Sequence, residues 1–156
     1  MKKMYPTLII SLLFLLVGCS TSQKEYDINH IVKLNGVYIK EISDEIVNGE
    51  VFQVVDDMKV PIGKMKNGKK DGLWTSWYEN GQKESEETFK DGKRDGLGTW
   101  WYENGRKKIK GINKDGRRDG LWTWWYENGQ KKEEVTFKDG EMISGKKWNK
   151  DGSVKE

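Results

Sequence analysis

From Asp71 to Gly129 apolar and polar positions alternate in short runs, and the runs come in three copies. Leu73, Thr75 and Trp77 alternate with Trp74, Ser76 and Tyr78. Leu97, Thr99 and Trp101 alternate with Gly98, Trp100 and Tyr102, and Leu121, Thr123 and Trp125 with Trp122, Trp124 and Tyr126. A period of two sends successive side chains to opposite faces of a strand. The Leu-Thr-Trp set is identical in all three copies, which assigns it to the core. The other set then forms a second face that collects Trp74, Trp100, Tyr102, Trp122, Trp124 and Tyr126. Phe89, Ile112, Val135 and Phe137 on the intervening runs pack beside one face or the other. Asn80-Gly81, Asn104-Gly105 and Asn128-Gly129 alternate with Asp91-Gly92, Asp115-Gly116 and Asp139-Gly140. Such dipeptides suit type I′ turns, whose two central residues both need positive φ. The runs between turns are about seven residues long, a usual strand length, and rich in Trp, Tyr, Phe, Thr and Val, all strand formers.

Gly72, Gly96 and Gly120 stand 24 residues apart, and identity at a fixed interval is the mark of a repeat architecture. The N-terminal part is a weaker copy: Asn35-Gly36-Val37-Tyr38-Ile39 and Asn48-Gly49-Glu50-Val51-Phe52 show the same turn-then-strand order, and Asn67-Gly68 keeps the beat. Ser144 to Gly152 is a shortened beat, and divergent ends fit a stacked array whose terminal units face water. The pattern Asp-Gly-Leu-Trp-Thr-x-Trp-Tyr-Glu-Asn-Gly, followed by Phe-Lys-Asp-Gly, resembles the MORN-variant repeat, and bacterial proteins carrying it are often labelled antitoxin-like. The opening Leu34-Asn35-Gly36-Val37-Tyr38, then Ile46 to Val51, is similar to the start of that family. The resemblance runs over residues 28–152. It implies an all-β fold, an elongated and curled single-sheet meander of antiparallel β-hairpins, with no catalytic residues to carry over. Gly98 departs from Trp74 and Trp122, and Asn113 from Phe89 and Phe137, which predicts a kinked or loose middle repeat.

The N-terminus follows a different pattern. Lys2 and Lys3 precede the apolar run Leu8 to Val17, which at about 1.5 Å per residue is too short to cross a hydrocarbon core of about 30 Å. It reads as the helical apolar region of a signal peptide. Leu16-Val17-Gly18-Cys19 resembles the bacterial lipobox, in which cleavage before the cysteine accompanies diacylation of its thiol. That resemblance implies a lipidated Cys19 and a mature chain held at a membrane, since multiple acyl chains anchor where one does not. It also implies a place in the cell envelope, at the outer membrane if the host has two membranes. The organisation is then a lipoprotein signal peptide over 1–18, Cys19 and a tether over 19–27, divergent repeats over 28–70, the repeat array over 71–152 and a tail over 153–156.

Composition narrows function further. Of 156 residues 34% are charged and 35% hydrophobic, thin for a two-layer globule, while 12% are aromatic, too many for a disordered chain. One Cys and one His leave no zinc finger and no internal disulfide framework. Without Lys2 and Lys3 the formal charge of +3 drops close to neutral, which argues against a nucleic-acid partner. Gly63 to Lys70 nearly spells a phosphate-binding loop but has Lys70 in place of Ser or Thr and no following helix. Gly96-Leu97-Gly98 lacks the third glycine of a dinucleotide fingerprint. Glu79, Glu103 and Glu127, like Asp71, Asp95 and Asp119, recur once per repeat beside turns, unlike a unique catalytic pair. His30 stands alone. The middle repeat is basic, with Arg106, Lys107, Lys108 and Lys110 where its sisters mix in Glu84, Glu86, Glu133 and Glu134. Those four residues and the aromatic face make the candidate binding surface. Its partner is a protein, a glycan or anionic lipid, with neither cofactor nor metal. The reading is a non-enzymatic envelope scaffold or binding module, with an antitoxin-like, toxin-neutralising protein as the alternative.

Overall fold

The computed structural model describes residues 23–155; the expected signal peptide and Cys19 lie outside them. Its elements are β1 (Glu25–Asp27), β2 (Ile31–Leu34), β3 (Val37–Lys40), β4 (Gly49–Val55), β5 (Met58–Lys66), β6 (Lys69–Trp77), β7 (Lys83–Lys90), β8 (Lys93–Trp101), β9 (Lys107–Lys114), β10 (Arg117–Trp125), β11 (Lys131–Lys138) and β12 (Glu141–Lys147). A single turn of 3-10 helix, Ile28–His30, follows β1. The sheet has ten strands in the order β1-β4-β5-β6-β7-β8-β9-β10-β11-β12, and β2 and β3 pair as a separate hairpin. From β4 to β12 the chain is a meander of consecutive antiparallel hairpins, open rather than closed into a barrel; β1 joins β4 in parallel. The all-β single-sheet expectation therefore holds.

Two turn chemistries set the beat. Asp91-Gly92, Asp115-Gly116, Asp139-Gly140 and Asn67-Gly68 have positive φ at both residues, as a type I′ turn requires. At Asn80, Asn104 and Asn128 the expectation fails, because only the following glycine has positive φ. There Gly81 N–H donates to the Tyr78 carbonyl and Tyr78 N–H to the Gln82 carbonyl at 2.9 and 2.8 Å. That is a three-residue loop with its glycine in the left-handed position. The Asn80 side chain accepts from the Gln82 N–H at 2.9 Å, an Asx turn that selects asparagine for a different reason than type I′ geometry. Asn48-Gly49 is not a turn either; Gly49 opens β4, where a β-carbon would overlap the Lys24 carbonyl.

Cross-strand register sorts the side chains into two faces. One row of the first face runs Val51, Gly63, Trp74, Glu87, Gly98, Gly111, Trp122, Val135, Gly145 across β4 to β12. At its N-terminal end this face carries the core of Tyr26, Val47, Val51, Ile62, Met65 and Trp74, with Ile28, Ile31, Tyr38 and Phe89 packed on it. The β2–β3 hairpin is tied to the main sheet there: Tyr38 N–H donates to the Gly68 carbonyl and Gly68 N–H to the Val47 carbonyl, at 2.7 and 2.8 Å. Farther along, the face is roofed by its own indoles. The core is thus on the face opposite to the one expected. Trp74 and Trp122 are only 5% and 4% exposed, whereas Leu73, Leu97 and Leu121 are 56%, 46% and 53% exposed. Of the set assigned to the core, Thr99 and Thr123 are buried, being short enough to lie below the taller side chains of adjacent rows.

The reason is complementarity of volume across strands. Trp122 lies over Gly111 and Trp74 over Gly63, where a β-carbon would overlap each indole. Trp122 Nε1–H donates to the Ile112 carbonyl at 2.8 Å and Trp74 Nε1–H to the Lys64 carbonyl at 3.1 Å. These two units are 48 residues apart. Between them Gly98 faces Gly111, and the space is taken by Trp100, which leans over Gly98 and stacks on Trp122 at 5.9 Å. The middle repeat is therefore filled differently and is neither kinked nor loose: β8 and β9 pair over their length as the flanking hairpins do.

Candidate functional site

The residues named as a binding surface divide among three structural settings. Trp74 and Trp122 belong to the buried face and are unavailable as contacts. Trp100 and Trp124 are half-buried and stack with Trp122, at 5.9 and 5.8 Å between centroids. Arg118 lies over Trp122 and Trp124 at 4.7 and 5.4 Å, and Lys70 over Trp74 and Phe89 at 4.1 and 5.1 Å. A cation on an aromatic face contributes about 0.5–1 kcal/mol when exposed and more when desolvated. Burial among these rings pushes the Lys70 ammonium below the ordinary lysine range, and nearby Glu87 opposes the shift. Arg94, at the equivalent place in the middle repeat, is instead paired with Glu87, and that hydrogen bond holds its guanidinium charged.

Tyr102 and Tyr126 are braces, not free contacts. The Tyr102 hydroxyl donates to the Trp125 carbonyl at 2.7 Å and the Tyr126 hydroxyl to the Trp148 carbonyl at 3.0 Å. Tyr78 does the same to Trp101 at 2.7 Å, so each tyrosine ties its repeat to the next. Burial raises the phenol pKa of Tyr78 and Tyr102. The asparagine of each loop adds a parallel tie, Asn80 Nδ2 to the Glu103 carbonyl at 3.0 Å and Asn128 Nδ2 to the Lys150 carbonyl at 2.9 Å. Arg106 joins this loop edge, its guanidinium donating to the Glu127 carbonyl at 3.3 Å. The Lys108 ammonium sits 5.5 Å from the Tyr102 ring centroid.

The open face is organised differently. One row alternates tryptophan and lysine: Trp77 pairs across strands with Lys83, Trp101 with Lys107 and Trp125 with Lys131. The Lys83 ammonium lies 5.7 Å from Trp77 and 5.4 Å from Trp101, and Lys131 lies 5.7 Å from Trp148. The adjacent row runs Thr75, Glu86, Thr99, Lys110, Thr123, Glu134, Lys146. In the flanking repeats it neutralises the ladder, through the Lys83–Glu86 and Lys131–Glu134 ion pairs. In the middle repeat the carboxylate is replaced by Lys110, and among the described residues neither Lys107 nor Lys110 makes an ion pair. Both line one groove with Leu97, Leu121, Thr123, Trp125 and the Lys131–Glu134 ion pair. Of the basic quartet only these two share an open site. Of the three tryptophans assigned to the core by their identity between repeats, Trp101 pairs across strands with Lys107, Trp125 lines the same groove, and Trp77 lies two strands before Trp101.

Comparison with known sequences adds a second view of the same alternation. Residues 70–91 and 118–139 match the MORN repeat variant. These stretches are MORN-variant repeats. Each spans a tryptophan-bearing strand and its partner, β6–β7 and β10–β11. The intervening hairpin, which carries Gly98 and Asn113, lies outside both matches although it folds with the same pairing. No curated protein matches this chain.

Among the described residues no group of three or more His, Cys, Asp or Glu is arranged to hold a metal ion. No helix there is long and apolar enough to cross a membrane.

Proposed function

We propose that this chain is a lipid-anchored protein of the bacterial cell envelope whose MORN-variant repeats act as a non-enzymatic binding module. The observation that carries the reading is the open face of the array. Among the described residues no second layer covers its Leu, Thr and Trp–Lys rows, while the opposite face takes up the core. A surface held in fixed register by ten strands presents side chains at low entropic cost, which favours recognition by preorganisation. The lipobox-like Leu16-Val17-Gly18-Cys19 supports the anchor, at the outer membrane in a two-membrane host, and the repeats project from it.

Two measurements test this. Palmitate labelling of the expressed chain is expected to disappear in Cys19→Ala, with the protein released from the membrane fraction; unchanged labelling and fractionation overturn the anchor. Co-purification from detergent-solubilised envelope is expected to return a partner that Lys107→Ala and Trp101→Ala lose. A partner retained by both variants removes the open face from the binding role, and an exported toxin as that partner selects the antitoxin-like alternative.

A further inference from the structure

We infer that the open face binds an extended acidic polysaccharide, its sugar rings on Trp77, Trp101 and Trp125 and an anionic substituent held by Lys107 and Lys110. The inference rests on the binding-module reading above and names the ligand class for that face. Two features carry it.

The first is the one-dimensional order of the tryptophans. Trp77, Trp101 and Trp125 sit on β6, β8 and β10, one on every second strand. Neighbouring strands are about 4.8 Å apart, so the rungs repeat at about 9.5 Å. That interval is close to one disaccharide unit of an extended 1,4-linked chain, so alternate sugars fall on successive indoles. Indole faces stack on the C–H faces of sugar rings while the hydroxyl groups stay in water.

The second is the charge pattern. In the flanking repeats each ladder lysine already has a carboxylate partner three residues on, Glu86 or Glu134, whereas three residues beyond Lys107 on β9 stands Lys110. An uncompensated pair of ammonium groups in the centre of an aromatic row recognises a carboxylate, sulfate or phosphate on the stacked chain. A neutral glycan would leave these two charges unanswered.

The test uses the full-length chain in detergent and an oligomeric 1,4-linked uronate long enough to span Trp77 to Trp125, followed by tryptophan fluorescence. Saturable binding is expected, weakened at least about tenfold when the carboxylates of the same oligomer are reduced to alcohols, the loss of a charge-assisted contact. Lys110→Glu installs the residue that both sister repeats carry at this position, so the fold is kept. It is expected to weaken uronate binding at least about tenfold. Trp101→Ala is expected to weaken both the acidic and the reduced oligomer, as loss of a stacking platform does. No saturable uronate binding, equal binding of the reduced oligomer, or binding unchanged in Lys110→Glu each overturns the inference. So does tighter binding to phosphatidylglycerol vesicles than to the uronate. A protein partner captured through this face, with no uronate binding, overturns the glycan assignment and leaves the binding-module reading standing. An array that loses neither partner nor uronate in these variants overturns both.

Discussion

The two faces of this sheet are built from the same repeat and solve opposite problems. On the covered face the residue at a given position of the repeat changes from Trp74 to Gly98 to Trp122, yet all three sites are buried. On the open face Leu73, Leu97 and Leu121 are invariant, and all three are exposed. Burial conserves volume summed across neighbouring strands, so an indole on one strand requires a glycine on the next and the positions must differ. An exposed row carries no such constraint and can stay the same from repeat to repeat. Identity within a repeat protein is therefore a poor guide to its inside.

The comparison breaks most sharply by emptying the covered face. Trp122→Ala is expected to cost about 3–5 kcal/mol, read as a lower urea midpoint, with Trp100, Trp124 and Phe137 losing their common partner. Restoring the sister residue with Gly98→Trp should also destabilise, by about 1–3 kcal/mol, because Trp100 already occupies that space. A raised melting temperature in this variant would show that the middle repeat is underfilled. Tyr102→Phe removes one tie between repeats and is expected to cost about 1 kcal/mol. Amide exchange should then speed up in β10 to β12 before β4 to β6. On the open face Leu121→Ala should change stability by no more than about 0.5 kcal/mol; a loss as large as that of Trp122→Ala would erase the distinction between the faces. The smallest effect concerns Lys70. Its folded pKa is pushed below the ordinary value of 10.5, so in the window between the two the unfolded chain binds more protons than the folded one. Stability should therefore rise with pH across that window, and a Lys70→Met variant should lose that part of the rise.

Much of this fold is legible in the residues. Alternation, the 24-residue beat and the glycine dipeptides specify strands, hairpins and their order, because each is a local property of the chain. What alternation cannot supply is the sign of a face. It sorts side chains into two sets but does not say which set is covered, and here the choice is made by contacts between strands, Trp122 over Gly111 and Trp74 over Gly63. Turn type was half legible for a similar reason. Asp91-Gly92 and Asn80-Gly81 look alike as dipeptides, and only the length of the loop, closed by Tyr78 and Gln82, separates them. Of the named surface, Lys107 and Lys110 are on the open face, while Tyr102 and Tyr126 turn out to bind backbone one repeat away. The missing signal was present in the pairing of sister positions: Lys110 stands where Glu86 and Glu134 stand, which shows the unbalanced charge once the register is known.

The spacing of the two indole-over-glycine units limits how such an array can change length. Excision of one 24-residue beat, from Thr88 through Gly111, would bring Glu87 beneath Trp122 and force a carboxylate against a ring that now rests on bare backbone. Excision of two beats would set like upon like. Viable descendants of this gene should therefore grow and shrink four strands at a time, with the hairpin as the visible module and the pair of hairpins as the heritable one.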